Sequence, residues 1–250
     1  MPRFFVRQDR ISNGFISIIG EDAHHIARSL RMAAGEEITV CDMQGNEYSC
    51  KISSFDEDKE VIAEIISQKK SENEPTAFIT LYQALPKGDK LDTIIQKAVE
   101  CGASKIVPFQ SERCIVKIKN DNEEKKRERR QRISAEAAKQ CGRSVIPEVC
   151  NSISFNEAIK QAQGSDLFLF CYEGDGTLSL GNILKGAFEN KECAPKNISI
   201  FVGSEGGFSI NEAELAKNNG ATMTGLGKRI LRTETASGFV LACLVCFLEL

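Results

Sequence analysis

Four apolar runs of strand length, separated by stretches with helical patterning, constrain the fold of residues 76 to 250 more than any other feature of this chain. They are Phe78-Ile-Thr-Leu-Tyr-Gln-Ala-Leu85, Lys105-Ile-Val-Pro-Phe109, Leu167-Phe-Leu-Phe-Cys-Tyr172 and Ile198-Ser-Ile-Phe-Val202, rich in β-branched and aromatic residues and nearly free of charge. Such runs read as strands buried on both faces. After the first, Asp89 heads a helix on which Leu91, Ile94, Ile95, Ala98 and Val99 share one face before Gly102 ends it. A long helix is predicted over residues 122 to 141 and a shorter one over about 178 to 188. This alternation predicts an α/β domain, a mostly parallel sheet with helices on both faces. Sheets of this kind hold ligands beyond the carboxyl ends of their strands.

The fourth run passes straight into Gly203-Ser-Glu-Gly-Gly-Phe208. Three glycines in five residues remove the side chains that keep a ligand off the backbone, so consecutive N–H groups can point at one bound group. Ser209-Ile-Asn-Glu212 reads as a capping box for a helix that Asn218-Asn-Gly220 stops. A second glycine turn, Gly225-Leu-Gly227, precedes Lys228-Arg-Ile-Leu-Arg-Thr-Glu-Thr-Ala236, and from there an apolar helix runs on. Neither turn has the spacing of a dinucleotide fingerprint or a P-loop. The first loop alone fits a tight strand-to-helix turn as well as it fits a ligand site. The two together suit a nucleoside-like cofactor beside a phosphate-bearing partner, to which Lys228, Arg229 and Arg232 offer positive charge.

Val202-Gly-Ser-Glu-Gly-Gly-Phe-Ser209 and Leu226-Gly-Lys-Arg-Ile-Leu-Arg-Thr-Glu-Thr-Ala236 together resemble the signature of the RsmE family of SPOUT methyltransferases. The likeness extends to Leu85-Pro-Lys-Gly-Asp-Lys90, Gln96-Lys-Ala-Val-Glu-Cys-Gly102, Ser111-Glu-Arg113 and Glu136-Ala-Ala-Lys-Gln-Cys-Gly-Arg143. One departure is Ser204, where the family pattern most often has proline; serine keeps an N–H that proline lacks. The resemblance implies S-adenosylmethionine as cofactor and methylation of N-3 of a uridine in bacterial small-subunit (16S) ribosomal RNA. It also implies a homodimer and a deep trefoil knot, in which the segment after Gly225 passes through a loop. Threading runs against the ordinary rule of chain topology, and periodicity carries no sign of it. The implied cofactor pocket comprises Val202, Gly203, Glu205, Gly206, Gly207, Leu226, Gly227, Ile230, Leu231, Thr233, Thr235 and Ala236. No metal is implied.

A uridine N-3 is mostly protonated at neutral pH and lies on the pairing edge, so its methylation needs an unpaired base and a way to lose the proton. An arginine can stabilise the uridine anion through its carbonyl oxygens. Arg232 is the first candidate for that role, with Arg113 and Arg143 as phosphate or base contacts. Glu205 or Glu234 either accepts the proton, balances the sulfonium charge, or simply satisfies loop N–H groups. The final apolar helix, from Ala236 to Leu248, supplies a dimer surface, is buried within one subunit, or does both.

Residues 1 to 70 read as a separate small β-barrel. Phe15-Ile-Ser-Ile-Ile19, Glu37-Ile-Thr-Val-Cys41, Tyr48-Ser-Cys-Lys-Ile52 and Val61-Ile-Ala-Glu-Ile-Ile66 are separated by turns such as Gln44-Gly-Asn46 and Asp56-Glu-Asp58. One helical interruption, from Asp22 to Met32, turns Ile26, Leu30 and Met32 inward and leaves Arg28 and Arg31 outside. Family likeness at His24, His25, Leu30, Arg31 and Gly35 implies a PUA-like RNA-binding domain. His24 and His25 suit an RNA contact or local hydrogen bonds at a helix start. Arg28 and Arg31 suit an RNA contact or a solvated face, while Arg3, Arg7 and Arg10 suit an edge strand or an RNA-facing arm. The polar stretch Gln68-Lys-Lys-Ser-Glu-Asn-Glu-Pro75 reads as a linker to the second domain. In that domain Lys87, Lys90, Arg113, Arg143, Lys228 and Arg229 are the RNA-binding candidates.

A net charge of −3 excludes a uniformly basic nucleic-acid binder, but eleven Lys or Arg against five Asp or Glu between Arg113 and Arg143 predict one basic face. Within it, Glu123 to Arg132 also reads as a solvated helix laced with i,i+4 ion pairs. The ten cysteines are irregularly spaced. Cys243-Leu-Val-Cys246 falls in an apolar helical run and reads as two buried small hydrophobes, and free thiols fit a reducing compartment. The first ten residues are too charged for a secretory leader, and the apolar segment from Phe239 to Leu248 is about half the roughly 20 residues of a membrane span. A cytoplasmic protein is expected, with ribosomal RNA or the assembled small subunit as partner and no membrane. Two alternatives stay open: another SPOUT RNA methyltransferase, acting on a ribose 2′-oxygen or a different base, and a non-catalytic RNA-binding ribosome-assembly factor.

Overall fold

The computed structural model describes residues 1–56, 60–118 and 122–249, which leaves part of the Asp56–Asp58 turn outside the described residues. The chain forms two compact units, Met1–Glu74 with Ala138–Ile146 and Pro75–Ala137 with Pro147–Leu250.

In the first unit, six strands build one sheet: β1 (Arg3–Phe5), β2 (Ile11–Ser12), β3 (Phe15–Ile19), β4 (Glu37–Cys41), β5 (Asn46–Asp56) and β6 (Glu60–Lys70), in the order β1-β4-β5-β6-β3-β2. The β1–β4 pair is parallel and the others are antiparallel. Alternate residues point to one side, so Ile16, Ile18, Ile38, Val40, Cys50, Ile52, Val61 and Ala63 form a single core with Phe4. The short helix α1 (Glu21–His24) and the π turn His25–Ser29 add Ala23 and Ile26 to that core.

The expectation for Leu30 is corrected: it is 41% exposed, whereas Ile26 is buried and Met32 packs against the core. A π turn carries i→i+5 hydrogen bonds, here Leu30 N–H to His25 O at 2.9 Å, and this wider turn rotates Leu30 off the Ile26 face. The linker reading is also corrected. Gln68, Lys69 and Lys70 extend β6 opposite Asn46, Glu47 and Tyr48. Ladder bonds come from the backbone, so polar side chains do not end a strand. Ser71 donates to Glu47 at 2.9 Å, and Glu74 accepts from Arg143, Ser144 and Val145.

The second unit contains β7 (Phe78–Ala84), α2 (Lys90–Glu100), β8 (Lys105–Gln110), α3 (Glu123–Cys141, whose last turn belongs to the first unit), β9 (Glu148–Val149), β10 (Ile153–Ser154) and α4 (Phe155–Ala162). It continues with β11 (Leu167–Cys171), β12 (Leu178–Ser179), α5 (Leu180–Ala187), β13 (Asn197–Val202), α6 (Ile210–Asn218), β14 (Thr222–Gly225) and α7 (Thr233–Glu249). Every described pairing in its sheet is parallel, in the order β10-β8-β7-β13-β11-β14-β12 with β9 on β8. Successive residues of β7, β11 and β13 are buried, and since they point to opposite sides, both faces of the sheet are covered. Phe109, Phe155, Phe170, Phe201 and Phe208 pack ring to ring in this core.

Gly102, at φ +82°, ends α2 with Ala103 N–H bonded to Ala98 O at 2.9 Å. Asp89 occupies the N-cap position but makes no side-chain cap bond, a correction to its expected role. On α3 the ion pairs Arg127–Glu124 and Lys126–Glu123 are i,i+3 rather than i,i+4, and Arg130 reaches Glu123 at 3.0 Å. The last helix starts at Thr233, three residues before the expected Ala236, because Arg232 O accepts from Thr235 and Ala236 N–H. All ten cysteines are thiols rather than disulfides; Cys243 is half-buried and Cys246 is exposed rather than buried, since an all-apolar helix still has an outer face. No helix among the described residues is long and apolar enough to cross a membrane.

Candidate functional site

Because the strands are parallel, the segments after β7, β8, β11, β13 and β14 all leave the same edge of the sheet. Those after β11, β13 and β14, with the start of α7, enclose a cavity of about 780 Å³. A cavity of this size falls in the range that holds a cofactor-sized ligand.

Its floor is backbone. Residues 204–207 close a tight turn, with Gly207 N–H bonded to Ser204 O at 2.9 Å and Gly207 at φ +63°. A Cβ on Gly203 would lie 3.2 Å from Gly207 Cα, and one on Gly206 3.0 Å from Arg113 Cβ. Arg113 also donates to Gly206 O at 3.2 Å. On the other side, a Cβ on Gly225 would lie 3.0 Å from Thr177 Oγ1, and Gly227 has φ +115°. Glycine is required where backbones approach this closely or φ is positive.

Polar groups converge on this floor. Gln83, fully buried in β7, donates through Nε2 to Thr233 Oγ1 at 2.9 Å and Ala84 O at 3.0 Å, and Thr233 donates to Gly203 O at 2.6 Å. Lys90 Nζ donates to Glu205 at 2.8 Å and lies 3.6 Å from Glu234. Burial works against ionisation of Glu205, but the Lys90 ammonium, with the Glu205 and Lys87 N–H groups, holds its carboxyl below the usual glutamate value. The hydrogen bond to Glu205 raises Lys90, so both are charged at neutral pH. Burial pushes the Cys171 thiol, on the cavity wall, up to about 12, which disfavours the thiolate at neutral pH. Among the described residues, the buried side-chain oxygens or nitrogens without a hydrogen-bond partner are Gln83 Oε1, Ser204 Oγ and Glu234 Oε2. All three belong to residues on this ring or joined to it.

Most of the predicted pocket residues line the cavity: Val202, Gly203, Glu205, Gly206, Gly207, Leu226, Gly227, Ile230, Leu231, Thr233 and Ala236. Thr235 is exposed and stands outside the lining. Arg232 lines it, as do Lys90, Arg113, Lys228 and Arg229, while exposed Lys87 offers its N–H to Glu205 at 3.3 Å. In the first unit Arg7, His24, His25, Arg28 and Arg31 are exposed, with Arg7 paired to Asp9 at 2.9 Å. Arg3 and Arg143 are turned inward instead, Arg3 onto Glu47 at 2.9 Å and Arg143 onto Glu74 at 2.6 Å. Sequence reasoning missed Gln83, Tyr172, Gly174 and Thr177. The signal for Gln83 was available: an amide in a strand otherwise fit for complete burial needs specific partners.

A family model described as an RNA methyltransferase domain matches residues 72–245, and one described as an RNA methyltransferase PUA domain matches residues 18–66. The ribosomal RNA small subunit methyltransferase E of Bacillus subtilis (strain 168) is 34% identical over 252 residues, covering 98% of this chain and 96% of the relative. That of Synechocystis sp. (strain ATCC 27184 / PCC 6803 / Kazusa) is 31% identical, covering 99% of this chain and 78% of the relative. A crystal structure of a ribosomal RNA small subunit methyltransferase E from Neisseria gonorrhoeae bound to S-adenosyl methionine superposes with a TM-score of 0.82 at 30% identity, over 98% of this chain and 96% of that one. With its cavity at the carboxyl edge of a parallel sheet and 98% of its length matched, the chain belongs to the ribosomal RNA small subunit methyltransferase E family of RNA methyltransferases.

Proposed function

We propose that this chain uses S-adenosylmethionine to methylate N-3 of a uridine in small-subunit ribosomal RNA. The observation that carries the reading is the glycine floor at the carboxyl edge of the sheet, where Gly203, Gly206 and Gly225 leave no room for a Cβ and the buried Ser204 Oγ on the cavity wall has no protein partner. The residues present fit the cofactor. Glycine backbone and Ser204 Oγ offer hydrogen bonds, and Leu226, Ile230 and Leu231 offer apolar contact to an adenine. Bound there, S-adenosylmethionine supplies a methyl group made electrophilic by its sulfonium.

The chain's own residues do the rest. Arg232, exposed at the N-terminus of α7, stabilises the uridine anion, and the helix dipole adds to its positive field. Glu205, the carboxylate on the cavity wall that Lys90 keeps ionised, takes the N-3 proton. Lys228, Arg229 and Arg113 hold phosphates at the rim, and the exposed cations of the first unit extend RNA contact. A homodimer through α7, whose Phe239 and Phe247 are each 41% exposed, the trefoil thread and a cytoplasmic location complete the proposal.

The test is methyl transfer from labelled S-adenosylmethionine to small-subunit RNA, naked and assembled, followed by nucleoside mass spectrometry. Label in 3-methyluridine is expected. Label on a ribose or another base overturns the N-3 assignment, and absence of cofactor binding in calorimetry overturns the enzyme reading. Arg232→Ala should lower kcat about 100-fold with cofactor Kd nearly unchanged.

A further inference from the structure

We propose that Gln83 is a positioning residue for this cavity: its buried amide ties the exit of β13 to the N-terminus of α7 and so sets the gap between the first glycine turn and the start of α7. The proposal rests on the methyltransferase reading above.

Gln83 stands opposite Val202 in the β7–β13 ladder, one residue before Gly203. Its Nε2 donates to Thr233 Oγ1 at 2.9 Å and Ala84 O at 3.0 Å, and lies 3.5 Å from Gly203 O. Thr233, the first residue of α7, is itself buried and donates its hydroxyl hydrogen to Gly203 O at 2.6 Å. The hydroxyl oxygen is thereby left to accept from Gln83. A reversed amide would set Oε1 against two carbonyl oxygens, so the bonding has one direction. The relay joins segments 120 and 150 residues apart in the chain. Gly203 and Thr233 line the cavity, whereas Gln83 does not, so Gln83 acts through them.

This arrangement is poor for stability alone. Gln83 Oε1 is buried without a partner, and an unpaired buried acceptor costs folding free energy that an apolar side chain of the same shape would not. Gln83→Met removes that penalty together with the amide's bonds to Thr233 and Ala84, so it should fold with a Tm within a few degrees of the wild type. It should nevertheless bind S-adenosylmethionine about tenfold more weakly in calorimetry, the scale set by one well-placed buried hydrogen bond. Thr233→Val should weaken binding similarly, and the double variant should be no worse than either single one, because both cut the same relay. Thr233→Ser keeps the hydroxyl and should bind as the wild type does.

Wild-type affinity in Gln83→Met overturns the proposal alone. A loss of binding matched by a fall in Tm in both Gln83→Met and Thr233→Val, or failure of both to fold, assigns the relay to stability and also overturns it. Wild-type protein that binds no S-adenosylmethionine overturns the methyltransferase reading and the proposal with it.

Discussion

At Gly206 an added Cβ would lie 3.0 Å from the Cβ of Arg113 and 3.2 Å from its carbonyl oxygen, whereas at Gly207 it would meet nothing within 4 Å. Gly207 is required by its backbone, at φ +63°, and Gly206 by space. Alanine at Gly207 should cost about 1 to 2 kcal/mol from left-handed strain. At Gly206 the cost is overpacking of about 1 to 3 kcal/mol, relieved only by moving the loop off Arg113. Both variants should lower Tm by a few degrees. Only Gly206→Ala should respond to Arg113→Gly, which removes one of the two clashing atoms; equal response of both in thermal melts would refute the distinction. Glu205 gives a pH prediction at the same scale. Its carboxyl is held below the ordinary glutamate value of 4.5, so its stabilising pair with Lys90 is complete above that pH. The contribution is lost as pH falls through the folded-state value. The Tm gap between wild type and Glu205→Gln should hold from pH 7 to 5 and narrow below about 4.5.

Helix α6 shows what a local signal contains and what it omits. Ser209 Oγ accepts from Glu212 N–H at 3.2 Å, and Glu212 Oε2 accepts from Ser209 N–H at 2.9 Å. Both partners lie within four residues, so the box was legible in Ser209-Ile-Asn-Glu212. The second bond of the same carboxylate, from Glu112 N–H to Oε1 at 2.8 Å, crosses 100 residues of sequence and left no local mark. Ser209→Ala should then cost about 1 kcal/mol, the usual value of a cap. Glu212→Ala should cost more, since it orphans N–H groups on two segments of a buried site. Chemical denaturation of the two variants measures the difference, and equal losses would show that the Glu112 link contributes nothing. The same locality explains the misses. Helix α4 has a capping box, Ser154 with Glu157, but only eight residues of amphipathic pattern after it. Asp89, by contrast, looks like a cap in sequence yet spends no side-chain bond on α2.

Across the whole molecule, glycine loops and apolar runs identified the site's floor, because those residues are required by backbone conformation and burial. What remained hidden depends on tertiary neighbours: Gln83, the wall from Cys171 to Thr177, and the return of Ala138–Ile146 to the first unit. Burial of cysteine is likewise a property of the folded whole, and it gives a test of both cores in one experiment. Desolvation pushes Cys41 up to about 11 in spite of Arg3, and pushes Cys50 and Cys171 up to about 12. At pH 8 a thiol at about 12 is about one part in ten thousand thiolate, and one at about 11 about one part in a thousand, thiolate being the form that alkylates. Cys193 and Cys246 are exposed. Iodoacetamide on the native protein should therefore modify Cys193 and Cys246 first, with Cys171 reacting slowly and Cys41 and Cys50 only on the timescale of unfolding, as read by peptide mass spectrometry. Cys171 is the decisive position, because it lines the cavity. Slow reaction there, with and without S-adenosylmethionine, follows from a half-buried thiol pushed up to about 12, whereas rapid labelling that the cofactor blocks would mean that the sulfur itself opens into the cavity.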